Sequence, residues 1–153
     1  MKNETIAALS TAPYKAAIGV IRVSGEEAQK IVGKIFSRDL NEVASSSVIH
    51  GNIVDGTETV DDVLLSVFRA PKSFTGEDVI EISCHGGVYN CSRILRLLIK
   101  NGARQAKNGE FTKRAFLNGK LDLLKAEAII DVINAKTSAQ AKLATNQLEG
   151  GLY

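Results

Sequence analysis

The chain has 153 residues with 24% charged and 44% hydrophobic side chains, and its 19 Lys and Arg against 17 Asp and Glu leave a net charge of +2. That length suits about one domain burying roughly two thirds of its unfolded surface, so folding needs no metal or disulfide staple. Two cysteines exclude a secreted disulfide framework, the balanced charge neither supports nor opposes an RNA partner, and the polar start "MKNET" leads into no long apolar run. Neither a signal peptide nor a membrane span is expected, and the cytoplasm is the default location.

In chain order, Ile6 to Leu9 and Ile18 to Val23 are short apolar runs around the loop "STAPYKAA", which predicts two strands. "SGEEAQKIVGKIF" follows. Ser24 and Glu27 fit a capping box, and Ala28, Ile31, Val32 and Ile35 recur at helical spacing, so an amphipathic helix is expected. Ser37 to Ser47 reads as loop. Val48 to Val54, the turn "DGTE" and Val63 to Phe68 form a predicted hairpin ended by Pro71. A strand over Val79 to His85 comes next, then a helix from about Val88 to Lys100 stopping at Asn101-Gly102. A short strand near Ala103 to Ala106 and a turn of helix around Thr112 to Leu117 complete the mixed part of the chain.

From Asp122 the strand signal disappears. The Ala- and Leu-rich stretch without proline predicts two helices broken near Asn134 to Thr137. In the first of them, apolar residues from Leu123 to Ile133 cover most of the circumference, which calls for partners on several sides. The chain reads accordingly as a fragment of a longer protein, or as one that buries this helix in an oligomer. The fold class is α+β, a mixed sheet with packed helices followed by α-helices.

The stretch "SFTGEDVIEISCHGG" from Ser73 to Gly87 concentrates three carboxylates, a cysteine and a histidine. Strand alternation puts Ile80, Ile82 and Cys84 on one face and Val79, Glu81, Ser83 and His85 on the other. Cys84 and His85 then point apart, which argues against a thiolate–imidazole dyad. Glu81 and His85 stand roughly 13 Å apart, too far to bond directly. Cys84, His85 and Cys91 match no zinc spacing, and no metal site is expected. Two charges do stand out: Glu81 between Ile80 and Ile82, and Arg22 between Ile21 and Val23. A charge within an apolar strand needs a partner. The pair can lie on a solvated face, bond to each other or anchor a polar ligand, the carboxylate taking a donor–donor edge and the guanidinium a carbonyl or carboxylate.

Lys107, Lys113, Arg114, Lys120 and Lys125 make "NGEFTKRAFLNGKLDL" and its flanks locally basic, either a solvated face or an RNA-facing patch, and Arg93, Arg96 and Lys100 form a second stripe read as solvent-facing.

"TIAALSTAPYKAAIGVIRVSG", "SFTGEDVIEISCHGG" and "NGEFTKRAFLNGKLDLLKAEAIIDVINAKT" together resemble the N-terminal part of the MnmE family, also called TrmE, of tRNA-modification GTPases. The resemblance implies an N-terminal tetrahydrofolate-binding and dimerisation domain over 1–120, similar to the folate-binding part of aminomethyltransferase, and the beginning of a helical domain over 121–153. It implies a cofactor, 5-formyl- or 5,10-methylene-tetrahydrofolate, held by Arg22, Glu81 and Lys120, with no catalytic residue in this part. It also implies a homodimer, a flavin-dependent partner MnmG, and modification of carbon 5 of the wobble uridine of tRNA.

The family's GTPase, with its GTP, Mg and K, lies elsewhere, because no G-x-x-x-x-G-K-[ST] loop occurs in this sequence. The family's C-terminal cysteine motif is also missing. Where the family carries Pro-Pro-Gly-Arg-Gly-Gly, this chain has Ala12 to Ala17, and where it carries Arg-Pro-Gly-Glu-Phe, this chain has Lys107 to Phe111. Two other functions remain open from the residues. A stand-alone folate-dependent aminomethyltransferase-like enzyme would need an acid or base such as Asp78, Glu110 or His85. A tRNA-docking module would use the basic stretch and show steep salt dependence.

Overall fold

The computed structural model describes residues 4–11 and 17–148, with side chains through 139. Of the loop at Ala12 to Ala17, residues 12–16 therefore lie outside the described part. The chain forms two compact units, one ending at Ala106 and one beginning at Lys107.

The first unit is a six-stranded mixed sheet. Its strands are β1 (Ile6–Leu9), β2 (Ile18–Ser24), β3 (Ser47–Asp55), β4 (Glu58–Phe68), β5 (Val79–His85) and β6 (Arg104–Gln105), in the spatial order β3-β4-β5-β2-β1-β6. Neighbours are antiparallel except β1 and β6, which run parallel. Helices α1 (Ala28–Gly33) and α2 (Val88–Lys100) pack on one face. There Ile21, Val23, Leu65, Ile80 and Ile82 meet Ile31, Val32, Ile94 and Leu98 in a continuous core. The alternation of each strand aims one residue in two at these helices.

The expected capping box does not form. Ser24 is buried at the end of β2 and turns its hydroxyl to the loop between β4 and β5. The helix starts at Ala28 with no side-chain cap of its own, and the N–H of Glu27 donates instead to Thr5 Oγ1 at 3.0 Å. A tertiary acceptor has replaced the local one.

Strand β3 forms one edge of the sheet, and the Ile35–Ser37 segment runs along its outer side. Val54 N–H donates to Ile35 O, Ser37 N–H to Asn52 O, and Asn52 N–H to Ser37 Oγ, at 2.8, 3.0 and 2.9 Å. Arg38 covers His50 O at 2.9 Å.

The second unit contains α3 (Glu110–Leu117) and α4 (Leu123–Leu148). Gly109, at φ +75, lets the chain enter α3, and a side chain there would press on Ile130 at 3.1 Å. Asp122 Oδ1 accepts Lys125 N–H at 2.7 Å and so caps α4. The predicted break at Asn134 to Thr137 is absent, since α4 runs through it as one helix. Thr137 returns its hydroxyl to Ile133 O at 3.0 Å, so the residue read as a breaker is satisfied inside the helix. Leu124 and Val132 stay exposed.

Candidate functional site

The sheet face opposite α1 and α2 is where the two charges singled out above come together. In the β2–β5 register Arg22 stands directly opposite Glu81, and its Nε donates to Glu81 Oε2 at 3.0 Å. Across five strands, Val48, Ser66, Glu81, Arg22 and Ala8 stand side by side in one row. Both charged side chains are about a quarter exposed, at 24% and 26%. Solvent screening at that exposure holds the stabilisation from such a pair to about 1 kcal/mol or less. The pair is thus reachable by a solute, and Glu81 retains acceptor capacity on Oε1, for which no protein donor is found among the described residues.

The loop between β4 and β5 borders this pair and is tied down by polar bonds. Ser24 Oγ donates to Glu77 Oε1 at 2.8 Å and contacts Thr75 Oγ1 at 2.7 Å. One hydroxyl proton cannot serve both, so Thr75 is the donor to Ser24. Gly25 N–H donates to Asp78 O at 2.9 Å, and Asp78 Oδ1 accepts Ala70 N–H at 2.8 Å. From this loop Phe74 reaches Arg22, whose Cζ lies 4.8 Å from the ring centroid.

Cys84 and His85 part as strand alternation predicts. Cys84 is buried, donates to Gly19 O at 3.4 Å, and lies 4.0 Å from Cys91 Sγ. Burial, then the neighbouring Cys91, pushes its thiol up to about 12, which leaves no useful thiolate at neutral pH. His85 is 72% exposed, and its Nδ1 lies 2.6 Å from Asp61 Oδ1. Asp61 Oδ2 accepts the His85 N–H and the Asn90 amide, both at 2.9 Å. Burial raises the Asp61 carboxyl, but these bonds and that from the Asp62 N–H outweigh it and hold the group below its ordinary value. The sequence reading missed Asp61 and Asn90. The one available signal was an acidic pair, Asp61-Asp62, interrupting a strand between Val60 and Val63.

Lys120 belongs to the second unit, in the turn after α3. It is exposed, and its N–H donates to Ala115 O at 2.7 Å. Arg114, read as part of a basic surface, is instead buried and reaches Glu110 at 3.5 Å. Arg93 is likewise paired rather than purely solvated, bonding Glu58 at 3.0 Å. A groove of about 560 Å³ along α1, lined by Glu26, Gln29, Lys30, Lys34 and Asn41 among others, contains neither Arg22 nor Glu81. Among the described residues no group of three or more His, Cys, Asp or Glu could hold a metal ion, and no helix is long and apolar enough to cross a membrane.

Comparison with known proteins identifies the family of the chain. The family model described as GTP-binding protein TrmE N-terminus matches residues 5–120. A tRNA modification GTPase MnmE of Enterococcus faecalis is 50% identical over 99% of this chain and 34% of its own length. Its namesake in Carboxydothermus hydrogenoformans is 52% identical over 99% and 34%, and that of Bacillus cytotoxicus is 48% identical over the same shares. The chain spans about a third of the length of these relatives. With the matched region running from before β1 through Lys120 and so taking in Arg22 and Glu81, the chain belongs to the TrmE N-terminus family.

Proposed function

We propose that this chain binds a one-carbon tetrahydrofolate, in its 5-formyl or 5,10-methylene form, through Arg22, Glu81 and Lys120. The observation that supports this reading is the partly exposed Arg22–Glu81 pair on the sheet face that carries no helix of the first unit. The pterin end of the cofactor offers a planar donor–donor edge, which matches the acceptors of Glu81, and its carbonyl and carboxylate groups match a guanidinium. The residues present therefore fit the group. When bound, the folate supplies the one-carbon unit, and the chain's own side chains bind and orient it.

In the whole protein, this folate would serve modification of carbon 5 of the wobble uridine of tRNA together with MnmG, in the cytoplasm. GTP, Mg and K would belong to a nucleotide-binding domain beyond this chain. Residues 1–120 would form the folate-binding and dimerising part and 121–153 the start of a helical domain. The exposed Leu124 and Val132 on α4 support further burial of that helix, and sedimentation at micromolar concentration is expected to give a dimer mass.

The deciding experiment is a calorimetric titration with 5-formyl-tetrahydrofolate. Saturable binding is expected, and Glu81→Gln should weaken it by about 1.5–3 kcal/mol, because one acceptor of a charge-assisted pair becomes a donor. No binding by the folded wild-type chain, or equal affinity in Glu81→Gln, would remove this reading.

A further inference from the structure

Phe74 is a large aromatic side chain left 38% exposed beside the Arg22–Glu81 pair. Its backbone is fixed by its neighbours. Thr75 is fully buried and bonded to Ser24, Ser73 Oγ bonds to Glu77 O, and Gly76 turns the chain at φ +82. This loop holds the ring against Arg22, with Cζ at 4.8 Å, while Nε is held by Glu81 at 3.0 Å. The first contact limits how the guanidinium swings, and the second fixes where Nε points. The chemistry of the first contact matters. A second carboxylate at this place would occupy N–H donors, whereas an aromatic face attracts the cation and takes none of them.

We infer that Phe74 is a positioning residue for the ligand of this site. It locks the Arg22 guanidinium in one orientation so that N–H donors can meet a carbonyl or carboxylate of a flat heterocyclic ligand lying on the sheet face. The inference rests on the folate-binding reading above and adds to it the residue that sets the arginine's geometry. It also accounts for the exposed ring, since burying it would take it away from the guanidinium.

Two measurements on the full chain test it. In the first, the Nε–H resonance of Arg22 is followed by nitrogen-15 NMR without ligand in wild type, Phe74→Leu and Phe74→Tyr. A protected signal is expected in wild type and Phe74→Tyr, and a broadened or fast-exchanging one in Phe74→Leu. In the second, 5-formyl-tetrahydrofolate is titrated into the same proteins, with thermal melts confirming that each is folded. Phe74→Leu should bind about three- to thirtyfold more weakly, the range of a partly desolvated cation–π contact, and Phe74→Tyr should restore binding. Unchanged affinity in Phe74→Leu overturns the inference. So does an affinity loss with the Nε–H signal intact, because the ring would then act without Arg22. If wild type binds and Glu81→Gln weakens it while Phe74→Leu matches wild type, this inference alone fails. If folded wild type takes up no folate, both it and the functional reading fail.

Discussion

Along β5 successive residues meet opposite surroundings: Ile80, Ile82 and Cys84 are enclosed beneath the helices, while Glu81, Ser83 and His85 face outward. The enclosed residues gain from contact with many apolar neighbours and lose it all at once when one is shortened. Glu81 and His85 instead each depend on a named partner, Arg22 for the first and Asp61 for the second. The covered face should therefore set the stability of the first unit, and the open face its chemistry.

The sharpest way to break that contrast is Ile82→Ala. Ile82 is fully buried in the core cluster, and the truncation should cost about 2–5 kcal/mol in a denaturant titration, as a transfer loss plus a cavity. A loss below about 1 kcal/mol would erase the distinction between the faces. Next in size is Gly19→Ala, also on the covered side. The added methyl would stand 2.6 Å from Cys91 Sγ and 3.5 Å from Cys84 Sγ, inside the packed thiol pair. A loss of about 1–3 kcal/mol is expected from overpacking, with part of it recovered in Gly19→Ala/Cys91→Ala.

Asp61→Asn probes an outward partner. Its carboxyl is held below 3.8 in the folded chain, so it contributes stability that is present above that value and lost as pH falls through the lower folded value. At neutral pH the variant should be less stable by about 1–2 kcal/mol, and the gap to wild type should close as the pH drops below 3.8. A gap independent of pH would show that packing, not the charge, supports the clip between β4, β5 and α2. The smallest effect belongs to Glu81→Gln, whose melting should shift by no more than about 1 kcal/mol in stability, since the ion pair is screened. A larger loss would make the open face structural and sharpen the comparison in the opposite direction.

Much of the covered face was legible in the sequence because alternation and helical spacing are local patterns. The strands around Ile21 and Ile82 and the helix from Val88 follow from them. Arg22 and Glu81 were also legible, as charges in apolar runs, but the sequence left open whether they bond each other. Strand register settles that, and register joins residues 59 positions apart. The same distance problem explains the misread cap. Ser24 has the spacing of a capping serine, yet Thr75 and Glu77, some fifty residues on, claim its hydroxyl. The contacts of Asp61 and Phe74 were missed because each is made to a residue distant in sequence, His85 for one and Arg22 for the other. The continuity of α4 was misjudged for a local reason: Thr137 satisfies its own hydroxyl one turn back, so a polar cluster without Gly or Pro did not end the helix.

The segment alongside β3 has a consequence for self-association. A sheet whose outer strand shows a bare row of N–H and C=O groups is a template on which another chain can add a strand, the usual opening to fibrous aggregation. Here Ile35, Ser37 and Arg38 already occupy His50 O, Asn52 N–H and O, and Val54 N–H. An incoming strand would have to displace four bonds to form its own. Growth by strand addition is thereby blocked along this stretch of β3.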